Sequence, residues 1–169
     1  SFSHEHPEYV VLDRNGSTRQ WGVLCLAYEE VRKYFVKLYL ELLDEYDFDG
    51  LFVCFRSQSK PAEFADQFNF NEPVRRDFQK IYGKDILKDD FNLQDWRDLV
   101  GKYITDFLRV LKNELRKKNR SLSIGLARGD VIGPPLGNTT LQWREWIQDG
   151  LVDNLIINQS SCQCPSIHH

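Results

Sequence analysis

An α/β protein built on a parallel sheet is what this sequence of 169 residues predicts, on three observations. Short apolar runs recur at Trp21 to Tyr28, Leu51 to Phe55, Ser121 to Ala127 and Leu151 to Asn158, each with the length and Val/Leu/Ile content of a buried strand. Between them lie stretches whose apolar residues return every three or four positions, the period of a helix packed on one side. The first two runs are separated by such a stretch, and this spacing fits a parallel crossover rather than a hairpin.

In chain order, WGVLCLAY (Trp21 to Tyr28) is the first strand. From Glu29 to Tyr46, Val31, Phe35, Leu38, Leu42 and Tyr46 form an apolar stripe opposite Arg32, Lys33, Lys37 and Glu41, which makes an amphipathic helix. Asp47-Phe48-Asp49-Gly50 breaks it, and Leu51 to Phe55 is the second strand. The polar and aromatic segment SQSKPAEFADQFNFNEP then leads to a short helix near Pro73 to Tyr82, capped by Asn71 and stopped by Gly83. The longest helix runs from about Leu93 to Lys118. Asn92 caps it, Trp96, Leu99, Tyr103, Phe107, Leu111 and Leu115 are its stripe, and Lys112, Arg116, Lys117 and Lys118 suit its negative end. Ser121 to Ala127 is the third strand, GDVIGPPLGN a loop, Leu141 to Gln148 a short helix ended by Gly150, and Leu151 to Asn158 the fourth strand. Tyr9 to Leu12 has the make-up of a fifth, edge-like strand.

The length suits one domain or part of one. With 22 Lys and Arg against 25 Asp and Glu, the formal charge of -3 gives no pull toward nucleic acid or anionic lipid. No run approaches the roughly 18 apolar residues of a membrane helix, so membrane insertion is not expected, and SFSHEHPEY lacks the regions of a signal peptide. Cys25 and Cys54 lie in apolar runs and read as buried thiols, whereas Cys162 and Cys164 would be half of a metal site or of disulfides elsewhere. The histidines, His4, His6, His168 and His169, all sit near the termini, and there is no CxxC or HExxH. Neither metal nor cofactor is expected.

Two architectures offer this alternation: a compact doubly wound sheet, complete at about this length, or part of a (β/α)8 TIM-type barrel, which typically needs about 250 residues. Neither GxGxxG nor GxxxxGK[ST] follows any strand. In both architectures ligands bind at the C-terminal strand ends. Those ends carry Tyr28-Glu29, Arg56-Ser57-Gln58, Arg128-Gly129-Asp130 and Asn158-Gln159-Ser160, so Tyr28, Arg56, Gln58, Arg128 and Gln159 are expected to face a common basin as substrate-binding residues. Arg56 and Arg128 directly follow apolar runs and need carboxylate or substrate oxygens as partners, whether in a ligand site or in a structural ion-pair network. Glycosidic cleavage needs two carboxylates, one to protonate the leaving oxygen and one to act as nucleophile or activate water. Glu72 and Asp130 are the catalytic candidates. Asp49 and Asp153 sit at the N-terminal ends of strands, in DG and VD turns, and read as structural. Phe64, Phe68 and Phe70 would be either a platform for sugar rings or a private core of their loop, and Trp96, Trp143 and Trp146 fit helices packed on the sheet. Prolines and glycines over 133–138 suit a stiff rim.

The phrases YDFDGLFVCFRS, FNFNEPVRRDFQKIYGKD, DWRDLVGKYITDFLRVLKNEL and WREWIQDGLVDNLIIN, in that order, resemble the bacterial glycosyl-hydrolase-like (β/α)8 barrels. The likeness covers about Trp21 to Gln159. It implies the middle-to-late part of a barrel, completed by the remainder of the same barrel, with a carbohydrate substrate and a secreted or periplasmic location. Members commonly carry a carboxylate near the end of the DG-led strand, in phrases resembling DGIHLD. Here Cys54 stands in that place, and a thiol does not replace a fixed carboxylate, which leaves Glu72 or Asp130 to supply it.

Overall fold

The structure, a computed structural model, describes residues 1–55, 66–127, 131 and 139–158. A one-turn helix α1 (Phe2–Glu5) precedes strands β1 (Val10–Leu12) and β2 (Arg19–Leu24). Helix α2 (Glu29–Glu45) leads to β3 (Gly50–Cys54), followed by α3 (Glu72–Tyr82), α4 (Leu93–Lys117), β4 (Ser121–Ala127), α5 (Trp143–Gln148) and β5 (Asn154–Asn158).

Strands β3, β4 and β5 form a parallel sheet in sequential order, with Leu51 beside Leu122 and Ile124 beside Leu155. One sheet face is closed. Leu51, Val53, Leu122, Ile124 and Leu126 pack into a single core with Val36 and Leu43 of α2, Phe107, Leu108 and Leu111 of α4, and Trp146 of α5. The opposite face carries Phe52, 56% exposed, and Ile156, 47% exposed, with Cys54 exposed beside them. The apolar runs therefore alternate in burial, and no closed barrel is seen among the described residues.

The expected first parallel strand, Trp21 to Tyr28, is not one. β2 pairs antiparallel with β1 in a separate two-stranded sheet, Trp21 is 54% exposed, and Cys25 to Tyr28 turns into α2. The cause is local. Asp13 Oδ1 accepts from the backbone N–H groups of Ser17 and Thr18 at 2.9 and 3.0 Å, and Gly16 takes φ 71°, so Asn15-Gly16 closes a hairpin. The edge-like strand near Tyr9 to Leu12 is present as β1, paired with β2 rather than with the parallel sheet.

The helix bounds agree closely with the sequence reading, but α2 is rotated from its expected face. Val31, Val36 and Leu43 are buried, whereas Leu38, Leu42 and Tyr46 are exposed. Helix α4 spans two cores. Its first half joins Val11, Phe70, Val74 and Phe78 in a second cluster, and its second half covers the parallel sheet. At Gly101 a Cβ would stand 1.9 Å from the Thr140 carbonyl oxygen, so glycine lets the 139–141 segment lie against the helix.

Candidate functional site

Sequential parallel pairing puts the ends of β3, β4 and β5 side by side, at Cys54, Ala127 and Asn158. Arg56, Gln58, Arg128, Asp130 and Gln159, expected just beyond those ends, lie outside the described residues, as does Phe64. Tyr28 does not belong to that row, because its parent strand is in the other sheet. Cys54 ends β3 on the open face, exposed rather than buried as expected. Its cross-strand neighbour is Gly125 of β4, which is paired in turn with Ile156 of β5, and the Phe52 ring lies over Gly125. Cys25 is buried in the second core, and its burial pushes the thiol up to about 12.

Tyr28 and Glu72 instead share a groove of about 800 Å³ between the start of α2, α3 and α4. What places them is the FNFNEP phrase. Phe68 and Phe70 are buried, with Phe70 stacked 4.9 Å from Trp96, which overturns the platform reading for those two rings. Asn69 takes φ 78°, a conformation asparagine tolerates, and turns the chain. The buried Asn71 accepts from Leu12 N at 3.0 Å and donates to Val10 O at 3.0 Å, clipping α3 to β1. The Tyr28 phenol is raised chiefly by burial, partly offset by the Asn71 side chain. Glu72 opens α3 with its carboxylate 70% exposed and Arg75 Nη1 3.4 Å away.

Arg75 is committed elsewhere. Its Nε and Nη2 donate to both oxygens of the buried Asp85 at 2.8 and 2.7 Å, and this fork, with the Leu87 N–H, holds that carboxyl down at about 2. Because the folded carboxyl lies below its unfolded range, its contribution to stability is present above about pH 4 and is lost as the pH falls toward 2. A carboxyl-carbon NMR titration should show a midpoint near 2 for Asp85. A midpoint near 4 would contradict the fork.

Two residues at the groove escaped the sequence reading as site features. Tyr103 was read only as core, yet its hydroxyl donates to Asp77 Oδ2 at 2.8 Å, while Arg76 binds Asp77 Oδ1 at 2.9 Å. The signal was available in the helical spacing, which puts Asp77 one turn from both Pro73 and Lys80 on the same side of α3. Among the described residues no three His, Cys, Asp or Glu side chains gather as a metal site, and no helix is long and apolar enough to cross a membrane.

No protein-family model matches the chain, and no curated protein sequence does. The fold is similar to that of a solved structure, the β-galactosidase from the psychrophilic Marinomonas ef1, with a TM-score of 0.50 and 12% identity over 75% of this chain. The chain spans about a quarter of the length of that β-galactosidase chain.

Proposed function

We propose that the chain is part of a glycoside-hydrolase-like (β/α)8 barrel that acts on a polysaccharide or glycoconjugate, with the substrate over the C-terminal ends of β3, β4 and β5. The observation that carries this reading is the one-sided parallel sheet. Its strands follow one another without reversal, and the packed helices share one face. A doubly wound sheet has helices on both faces, whereas a barrel keeps them outside and turns the other face inward. The bare face suits an inward one, with Ser123 and Gly125 on β4 leaving room between the larger Phe52 and Ile156. Apolar residues are exposed at both flanks as well, Leu38 and Leu42 on α2 with Tyr46 just after it, and Ile147 and Ile157 near β5, where neighbouring strand-helix units of the same barrel would cover them. The likeness to the β-galactosidase supports the same architecture.

In this reading Asp130 and Glu72 are the acid/base or nucleophile candidates, and Arg56, Gln58, Arg128 and Gln159 position the sugar. Glu72 has the weaker case, since it opens into the helix groove. A screen of the full-length product against glycans and aryl glycosides tests the proposal. Turnover should be found, and Asp130→Asn should abolish it without changing the melting temperature, while Glu72→Gln should have the smaller effect. Turnover undiminished in both variants would overturn the assignment of the carboxylates.

One observation favours a second reading. Cys54 puts an exposed thiol at the strand end and on the face where a barrel would present a carboxylate. A non-catalytic carbohydrate-binding barrel would give glycan binding with no turnover in the same screen.

A further inference from the structure

We propose that the groove between α2, α3 and α4 is a second glycan site, which holds a neutral oligosaccharide or polysaccharide chain away from the strand ends. Its volume of about 800 Å³ falls within the range of ligand pockets. The floor is apolar, formed by the buried Pro73 and Leu99 with the half-buried Tyr28 ring. The rim carries both signs, with Arg76, Lys80 and Lys102 set against Glu30, Glu72 and Asp106. A strongly charged ligand of either sign would meet like charges as often as opposite ones. A sugar ring instead offers C–H faces to the floor and hydroxyls that both donate to carboxylates and accept from ammonium groups.

The walls are set in advance. Asp77 is held by both Tyr103 and Arg76, and the Tyr28 ring packs 4.9 Å from Tyr9, so little ordering would be needed on binding. Partly exposed rings continue outward from Tyr28. Tyr9 lies 4.9 Å from it, Phe2 6.0 Å from Tyr9, and Tyr34 is stacked 3.9 Å from Phe2. That aromatic path favours a chain over a single sugar. A helix feeding a parallel strand runs against it, so the start of α2, which lines the groove, lies toward the end where β3 finishes.

The ligand class rests on the carbohydrate-active reading above, and of the residues named there only Glu72 also lines this groove. Affinity electrophoresis of the full-length product, through gels each containing one soluble neutral galactan, glucan or mannan, tests the inference. At least one neutral polymer should retard the protein. Tyr28→Ala should weaken that binding about tenfold and Lys102→Ala severalfold, while Tyr28→Phe retains it. Thermal melts accompany each variant. Lys102 is exposed, so its replacement decides the matter if Tyr28→Ala fails to fold. Retardation by no neutral polymer, retardation only by acidic polygalacturonate, or retardation unchanged in Tyr28→Ala and Lys102→Ala would overturn the inference. Asp130→Asn separates the two sites: loss of turnover with intact retardation supports independent sites, and loss of both would count against a second one.

Discussion

Replacing Trp146 by alanine is expected to remove about 3–5 kcal/mol of folding stability, a large fraction of the roughly 5–15 kcal/mol that holds an ordinary domain together. The indole is fully buried in the core beneath the parallel sheet, 5.9 Å from the Phe55 ring. Its N–H donates to Thr105 Oγ1 at 2.7 Å, and that hydroxyl in turn donates to Gln142 Oε1 at 2.6 Å. Through this pair α5 is tied to α4, so the loss should loosen the crossover that places β5 beside β4. Trp146→Phe keeps an aromatic ring of smaller volume and removes the donor, for which about 1–3 kcal/mol is expected. Urea unfolding of the three proteins separates packing from hydrogen bonding. Equal losses in the two variants would show that the hydrogen-bonded pair, rather than the ring, anchors α5.

Asp153→Ala is the second large effect, at about 3 kcal/mol. Asp153 Oδ2 accepts from Leu122 N at 2.6 Å and forms an ion pair with Lys112 Nζ, whose side chain is almost fully buried in α4. Removing the carboxylate leaves a buried ammonium and a backbone donor without their partner. The estimate sits at the lower end of the range for broken buried pairs because Asp153 itself is half-exposed. Lys112→Met should cost less, about 1 kcal/mol, since an apolar chain suits the site and water can reach the remaining carboxylate. Burial raises the Asp153 carboxyl, but the Lys112 ammonium and the Leu122 N–H outweigh it, and the group lies below its ordinary range. Its contribution is therefore complete above about pH 4 and is lost as the pH drops further. Unfolding midpoints measured from pH 7 down to pH 3 should converge for wild type and Asp153→Ala at the acid end.

Asp153 also shows what kind of reasoning the sequence supported. Its place before an apolar run, in GLVD, marked it as structural, and the structure gives it two bonds at the N-terminal end of the sheet. Helices α3 and α4 were legible for the same local reasons: Asn92 caps α4 by accepting from Gln94 N, Pro73 lies in the first turn of α3, and Gly83 ends that helix at φ 70°, whereas Asn71, read as the cap of α3, turns its side chain to Leu12 and Val10 instead. Capping depends on neighbours in the chain, so it can be read without a fold.

The candidate site was less legible. Tyr28 and Glu72 were both named, but for a basin at the strand ends, whereas they meet in a groove among helices. The error began with Trp21 to Tyr28, whose apolar content suits a buried strand equally well in a hairpin or in a parallel sheet. Asn15-Gly16 was the signal that distinguishes the two.

By itself, then, the sequence determined the α/β class, the succession of helices and strands after Tyr28, the Asn92 cap of α4 and the Gly83 end of α3, because periodicity and capping act over a few residues. Tertiary structure alone decided which face of each element is covered. Helix α2 is apolar over a broad arc, with Val31, Phe35, Val36, Leu38, Tyr39, Leu40, Leu42 and Leu43, so its period admits more than one face, and only packing against α4 and the sheet selects Val36 and Leu43 over Leu38 and Leu42. Strand β3 is apolar at Leu51, Phe52, Val53 and Cys54 alike, yet only Leu51 and Val53 meet helices. Hydrophobicity says that a residue gains by leaving water, and only the three-dimensional arrangement supplies the surface that receives it.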